Sequence, residues 1–135
     1  MVELVVALPI LVLISVGVMD YGRVYFASVT VANAARAGAE WGSTTFYGYA
    51  FDNPGQAGFA LKDGAEISLD SVRANTVCRC TDEATVTCSG TFCAGYGDPR
   101  VYVTVTAYKK VNLLIRYPGL PSSVQITRST TFRAK

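Results

Sequence analysis

From Leu4 to Met19 the chain carries no charge, and the helical spacing of its apolar residues does not stop there. Pro9, Ser15 and Gly17 are the only interruptions of the apolar run, which amounts to roughly 24 Å of helix, short of a comfortable bilayer span. Tyr21, Val24, Tyr25, Ser28, Val31, Ala32, Ala35 and Ala39 then continue a stripe at three- and four-residue spacing, with Arg23, Asn33, Arg36 and Glu40 mostly off it. Gly42 followed by Ser43-Thr44-Thr45 supplies a stop signal. The pattern predicts one helix over residues 1–42, with a membrane-like part in 1–20 and an amphipathic part in 21–42. Such a helix is far longer than the usual globular one, so its first half belongs outside the domain formed by residues 43–135. Ala32-Asn33-Ala34 has the form of a signal-peptidase site, but no positive segment opens the chain and the site lies far beyond the apolar run. A plain single-span anchor fits better, and its weaknesses are the short span, Glu3 and Pro9. An ionised group near hydrocarbon is costly, so Glu3 calls for a partner.

Beyond the helix, Asn53-Pro54 reads as a helix start and Asp63-Gly64 as its end, with Lys62 the last helical position. The period then changes to two. Residues 72–80 and 84–90 are candidate strands joined by a turn at Asp82-Glu83. Residues 101–114 alternate, placing Val101, Val103, Val105 and Ala107 on one face and Tyr102, Thr104, Thr106 and Tyr108 on the other. Residues 124–135 follow a turn containing Pro118 and Pro121 and make a final strand. The expected class is α+β: a long N-terminal helix with a protruding apolar half, packed on a small antiparallel β-meander.

The net charge of +2 hides an uneven distribution. Residues 40–98 hold eight acids and three bases, whereas residues 100–135 hold seven bases and no acid. Two solvated faces account for this, as does packing of one copy's basic end on the next copy's acidic middle. No basic cluster is interleaved with aromatics, so nucleic acid is not an expected partner.

Cys78, Cys80, Cys88 and Cys93 fall within sixteen residues, and an even count in a short chain with an apolar start points to disulfides in an oxidising compartment. Their spacing lacks the pairs of a zinc site, and the sequence has no histidine. Cys78–Cys80 is strained, because residues two apart on a strand point the same way. One crossing and one nested arrangement remain open. With no histidine, no free thiol expected and no nucleophile-elbow, phosphate-loop or dinucleotide motif, neither an enzyme nor a cofactor is expected. Asp20, Tyr21 and Arg23 read as a collar at a membrane edge, with Asp and Arg three apart able to pair.

The stretch VELVVALPILVLISVGVMDYGRVYFASVTVANAARAGAEWG resembles the N-terminus of the TadE-like family, pilins and pseudopilins of the tight-adherence (Tad) branch of type IV pili. The shared pattern is Glu3, an apolar run with Pro9, the collar Asp20-Tyr21-Gly22-Arg23, and Asn33-Ala34-Ala35-Arg36-Ala37-Gly38-Ala39; the cysteine region and the C-terminal strands look similar too. The resemblance implies a prepilin-peptidase product that waits in the inner membrane, uses the Tad secretion machinery, and then joins an extracellular filament as a homo-oligomer or with other pilins. In such proteins a glycine before the glutamate marks the processing site; here Met1 and Val2 precede Glu3. The filament reading casts Glu3 as a register device that pairs with a neighbour's free amine, since an unpaired buried charge costs about 3–5 kcal/mol. Pro9 is expected to loosen the helix near residues 5–9, and Ser15, Gly17, Ala27 and Ala32 to admit neighbouring helices. The remaining alternatives are a minor pseudopilin acting in assembly at the inner membrane and an unrelated membrane-anchored extracellular binding module. Phe46, Tyr47 and Tyr49 are candidates for a subunit contact or for core.

Overall fold

A computed structural model describes residues 2–44, 53–82, 84–88, 93, 97–114, 119 and 121–134. Helix α1 runs without a break from Val2 to Thr44, and α2 from Asn53 to Asp63, followed by a short 3-10 turn at Ala65–Ile67. Four strands complete the head: β1 (Ser71–Arg79), β2 (Thr85–Val86), β3 (Arg100–Asn112) and β4 (Ser123–Arg133). The aromatic stretch 46–49 and Glu83 lie outside the described residues.

The architecture is the expected α+β one, a long helix laid across an antiparallel sheet. Val101, Val103, Val105 and Ala107 are buried beneath α1, and the β3 alternation inferred from period two is the inner face of the sheet. The strand order is β2-β1-β3-β4, so β1 pairs with β3 and the short β2 folds back onto the outer edge of β1. Alternation specifies which face a residue occupies but not which strand lies beside which, and a strictly consecutive order is corrected on that point.

Two features of α1 differ from the sequence expectation. The first is the buried stripe, which follows Val24, Ala27, Val31, Ala34, Ala35, Gly38, Ala39 and Gly42, whereas Tyr21 and Tyr25 are exposed. The sheet decides this. A Cβ added at Gly38 would lie 2.7 Å from Ala60 Cβ and 2.8 Å from the Gln56 carbonyl oxygen, and one at Gly42 would lie 2.8 Å from Val103 Cγ1. The helix approaches its partners more closely than tyrosine-sized side chains permit, so the alanine and glycine stripe faces inward. The second concerns Pro9. Residues 5–9 are helical, so the turn there is not melted. Proline removes one intrahelical donor, but this single loss near the start of a 43-residue helix leaves the turns on either side bonded.

Two clusters form the core. Ala27, Val31 and Ala35 meet Ala107, Val111 and Ile126 at the lower end of the head, while Ala39 and Ala60 meet Val103 and Val105 at the upper. Alanine and valine make up most of both, with Ile126 the largest buried member, and such small side chains remove little apolar area per residue. The outer face of the sheet is instead polar and laddered: Thr104 and Thr131 hydroxyls lie 2.8 Å apart, and Thr106 donates to Ser129 at 3.0 Å. The strand registers place Arg73, Arg79, Arg100, Lys110 and Arg133 on this face, whereas Lys109 and Arg128 of the basic C-terminal third fall on the inner-face positions of their strands.

Candidate assembly surface

The apolar half of α1 extends away from the head. From Leu4 to Met19 every side chain except the half-buried Val16 is exposed. Among the described residues this is the one helix long and apolar enough to cross a membrane. Large aliphatic groups cover it on all sides, and a continuous patch of this kind far exceeds the few hundred Å² that a soluble monomer tolerates. Ser15 donates its hydroxyl to the Leu11 carbonyl at 2.8 Å, so this polar group is satisfied without water. Gly17 and Gly22 have open space where a Cβ would stand, leaving notches for close approach. Ala27 is different: it is buried against the chain's own sheet and is not available to another helix, a correction to the expected set of small contact residues. Glu3 belongs to the first turn of α1 by its backbone, and its side chain lies outside the described residues.

The projecting half joins the head at Asp20. The sequence suggested a collar group; the structure gives Asp20 a second role. Its carboxylate is buried and accepts the Leu114 backbone N–H at 2.9 and 3.2 Å, linking α1 to the chain just after β3. Arg23 stands 3.8 Å away, the pair inferred from the three-residue spacing. A buried carboxylate is tolerable because it is hydrogen-bonded and faces a cation. Tyr21 stacks on Tyr25 with ring centroids 6.4 Å apart, both on the exposed side of the helix. Leu114 was not legible as a partner, since only the fold brings residues 94 positions apart together.

Cys78 pairs with Cys88 and Cys80 with Cys93, with Cα separations of 5.2 and 5.6 Å. This is the crossing arrangement. It follows from the strands: Cys78 lies opposite Val86 in the β1–β2 pair and is buried toward the inner face, two residues from Cys88, while Cys80 continues beyond β1. Cys93 in turn bonds Gly97 across an isolated bridge, its N–H donating to the carbonyl at 2.8 Å. Among the described residues the bridges thus fasten a segment otherwise held by the two-residue strand β2, the Cys93–Gly97 bridge and the Cys80 N–H on the Ala84 carbonyl.

Comparison with known proteins bears on the helix. Residues 1–40 match the family model described as TadE-like protein. No curated protein and no solved structure matches the chain.

Proposed function

We propose, from the premise that this is a TadE-like, Tad pilus-associated chain with an N-terminal apolar helix, that it is a structural subunit of the pilus filament. The subunit waits in the inner membrane, anchored by Leu4–Met19, and on assembly exchanges lipid for the helices of other subunits, its own copies or other pilins. The observation that supports this most is the continuity of α1: one unbroken helix presents an all-round apolar surface below Asp20 and packs on a sheet above it. A flexible tether would suffice for an anchor alone, whereas a rigid projecting helix also fixes the orientation of the head on a filament surface. Because lipid tails are as apolar as leucine, helices in such a bundle gain from close packing, and the notches at Gly17 and Gly22 serve it. Glu3, at the far end, pairs with a neighbouring subunit's amine and sets the axial register. Tad secretion machinery and prepilin peptidase are the partners of this pathway, and the role asks for no catalytic group.

The test is made in the producing cell. Sheared surface filaments are imaged by electron microscopy and their subunits counted by mass spectrometry. Stoichiometric abundance identifies a main subunit, and trace abundance identifies a minor assembly pseudopilin. Glu3→Gln is expected to leave the head folded and the protein membrane-bound while incorporation falls at least tenfold, the effect of about 1.4 kcal/mol per subunit contact, well below the cost of a buried unpaired charge. Normal filaments from that variant would overturn the register role.

A further inference from the structure

The apolar run ends too early to span a bilayer, and the shortfall fixes what the head must touch. Sixteen residues give about 24 Å of helix, against a hydrocarbon core of about 30 Å. With Leu4 at one boundary, the other falls about four residues beyond Met19, at the level of Arg23. The headgroup layer adds roughly 5–7 Å, which covers the next turn of α1. The lower end of the head occupies this level. Leu114, bonded to Asp20, is more than half exposed, as are Tyr21 and Phe26.

The polar groups at the same height are cationic. A groove of about 390 Å³ is lined on the helix side by Arg23, Phe26 and Ala27 and on the sheet side by Lys109, Lys110 and Val111. It lies where the ladder of β1 ends at Ser71, opposite Tyr108, and only Asp70 continues to bond the edge of β3, accepting from the Lys110 N–H and donating to the Tyr108 carbonyl. On the other side of α1, Arg128 of β4 donates to the Ser28 hydroxyl at 2.7 Å and holds a fourth cation at this level. Two of the described carboxylates lie nearby, and both are engaged. Asp20 is buried on Leu114, while Asp70 accepts the Lys110 backbone N–H and stands 3.7 Å from the Lys109 ammonium.

We propose that this end of the head is a seat on the bilayer: Arg23, Lys110 and Arg128 receive the phosphates of anionic phospholipids, while Lys109 stays on its own partners, the Ser68 carbonyl and Asp70, and Tyr21, Phe26 and Leu114 rest at the hydrocarbon boundary. The inference rests on the membrane-anchored state of the waiting subunit. It explains why the acid at position 20 is placed inside the head, where a backbone N–H satisfies it, and not toward the lipid. It also gives the short apolar run a physical sense, because a head drawn into the headgroup layer needs no longer helix. Extraction for assembly then has to break these contacts, so anionic lipid holds the unassembled subunit in place.

The full chain is reconstituted in vesicles of phosphatidylcholine alone and of phosphatidylcholine with phosphatidylglycerol, and labelled with a membrane-impermeant amine reagent. Labelling of Lys110 and of Lys62, the latter on α2 and higher on the head, is read by peptide mass spectrometry. A surface cation gains about fivefold in local association with an anionic leaflet. Lys110 is therefore expected to label about fivefold more slowly in the anionic vesicles, Lys62 to change little, and high salt to abolish the difference. The variant carrying R23Q and R128Q, which leaves Lys109 on its structural partners, is expected to lose most of the lipid dependence. Equal Lys110 rates in the two vesicle types, or equal slowing at Lys62, would overturn the seat. Release of the chain from both vesicle types by alkaline carbonate would instead overturn the anchored state itself.

Discussion

Leu4–Met19 and Val24–Gly42 lie on the same unbroken helix, yet large residues surround the first segment and small ones line the second. Among the described residues, every side chain of the lower segment but the half-buried Val16 is exposed. Its leucines, isoleucines and valines cover every side because lipid or other helices can meet them from any direction. The upper segment has two fixed partners, the sheet and α2, and a stripe of alanine and glycine sets how closely they approach. Apolar character alone therefore does not indicate burial in this protein. Side-chain size along the helix does, because only the small stripe fits the gap that Ala60, Val103 and Val105 leave.

The contrast breaks most severely at the disulfides, which stabilise only the head. Replacing Cys78 and Cys88 together by serine removes a cross-link between residues ten apart and should cost about 3 kcal/mol. In detergent, near-ultraviolet circular dichroism is expected to show the head melting at lower temperature while the far-ultraviolet helix signal of the projecting half persists. Coincident loss of both signals would mean that the two halves fold as one unit.

A matched pair of glycine substitutions sharpens the same contrast. Gly38→Ala places a methyl against Ala60 and the Gln56 carbonyl and should destabilise by about 2 kcal/mol, since overpacking outweighs the gain in helix propensity. Gly17→Ala meets open space and should stabilise the helix by up to about 1 kcal/mol in detergent. If Gly17 is a packing notch between subunits, that same variant assembles less well although it is the more stable monomer. Thermal unfolding and filament yield, measured on both variants, check the two signs.

The smallest effect is expected at the junction. Asp20→Ala leaves the Leu114 N–H without its acceptor and should cost about 1–2 kcal/mol, whereas Asp20→Asn keeps an oxygen there and should cost less. Amide hydrogen exchange at Leu114 reads this directly: faster exchange in the alanine variant and an intermediate rate in the asparagine one. Unchanged exchange in both would show that the carboxylate does not hold the two halves together.

The charge-free run from Leu4 to Met19, the helical spacing that follows and the alternation of β3 fixed local geometry, and local geometry is what periodicity encodes. The helix bounds, the α+β class and the inner face of β3 were legible on that basis. The inward face of α1 was legible in part. Val24, Val31, Ala35 and Ala39 of the expected stripe turn inward, but Tyr21 and Tyr25 do not, and Ala27, Ala34, Gly38 and Gly42 join instead, because the face depends on the distance to a sheet formed some seventy residues later.

Long-range placement settled the remaining features. The order of the strands, the crossing disulfides and the burial of Asp20 on Leu114 all join residues that no short window contains together. The gathering of Lys109, Lys110 and Arg128 around Arg23 is of the same kind. Periodicity and charge alone show an apolar helix longer than its head, with a carboxylate, Glu3, in its first turn. Where the head begins on that helix is a matter of long-range contact, because the boundary is set by a backbone N–H just after β3 that bonds a side chain 94 residues away.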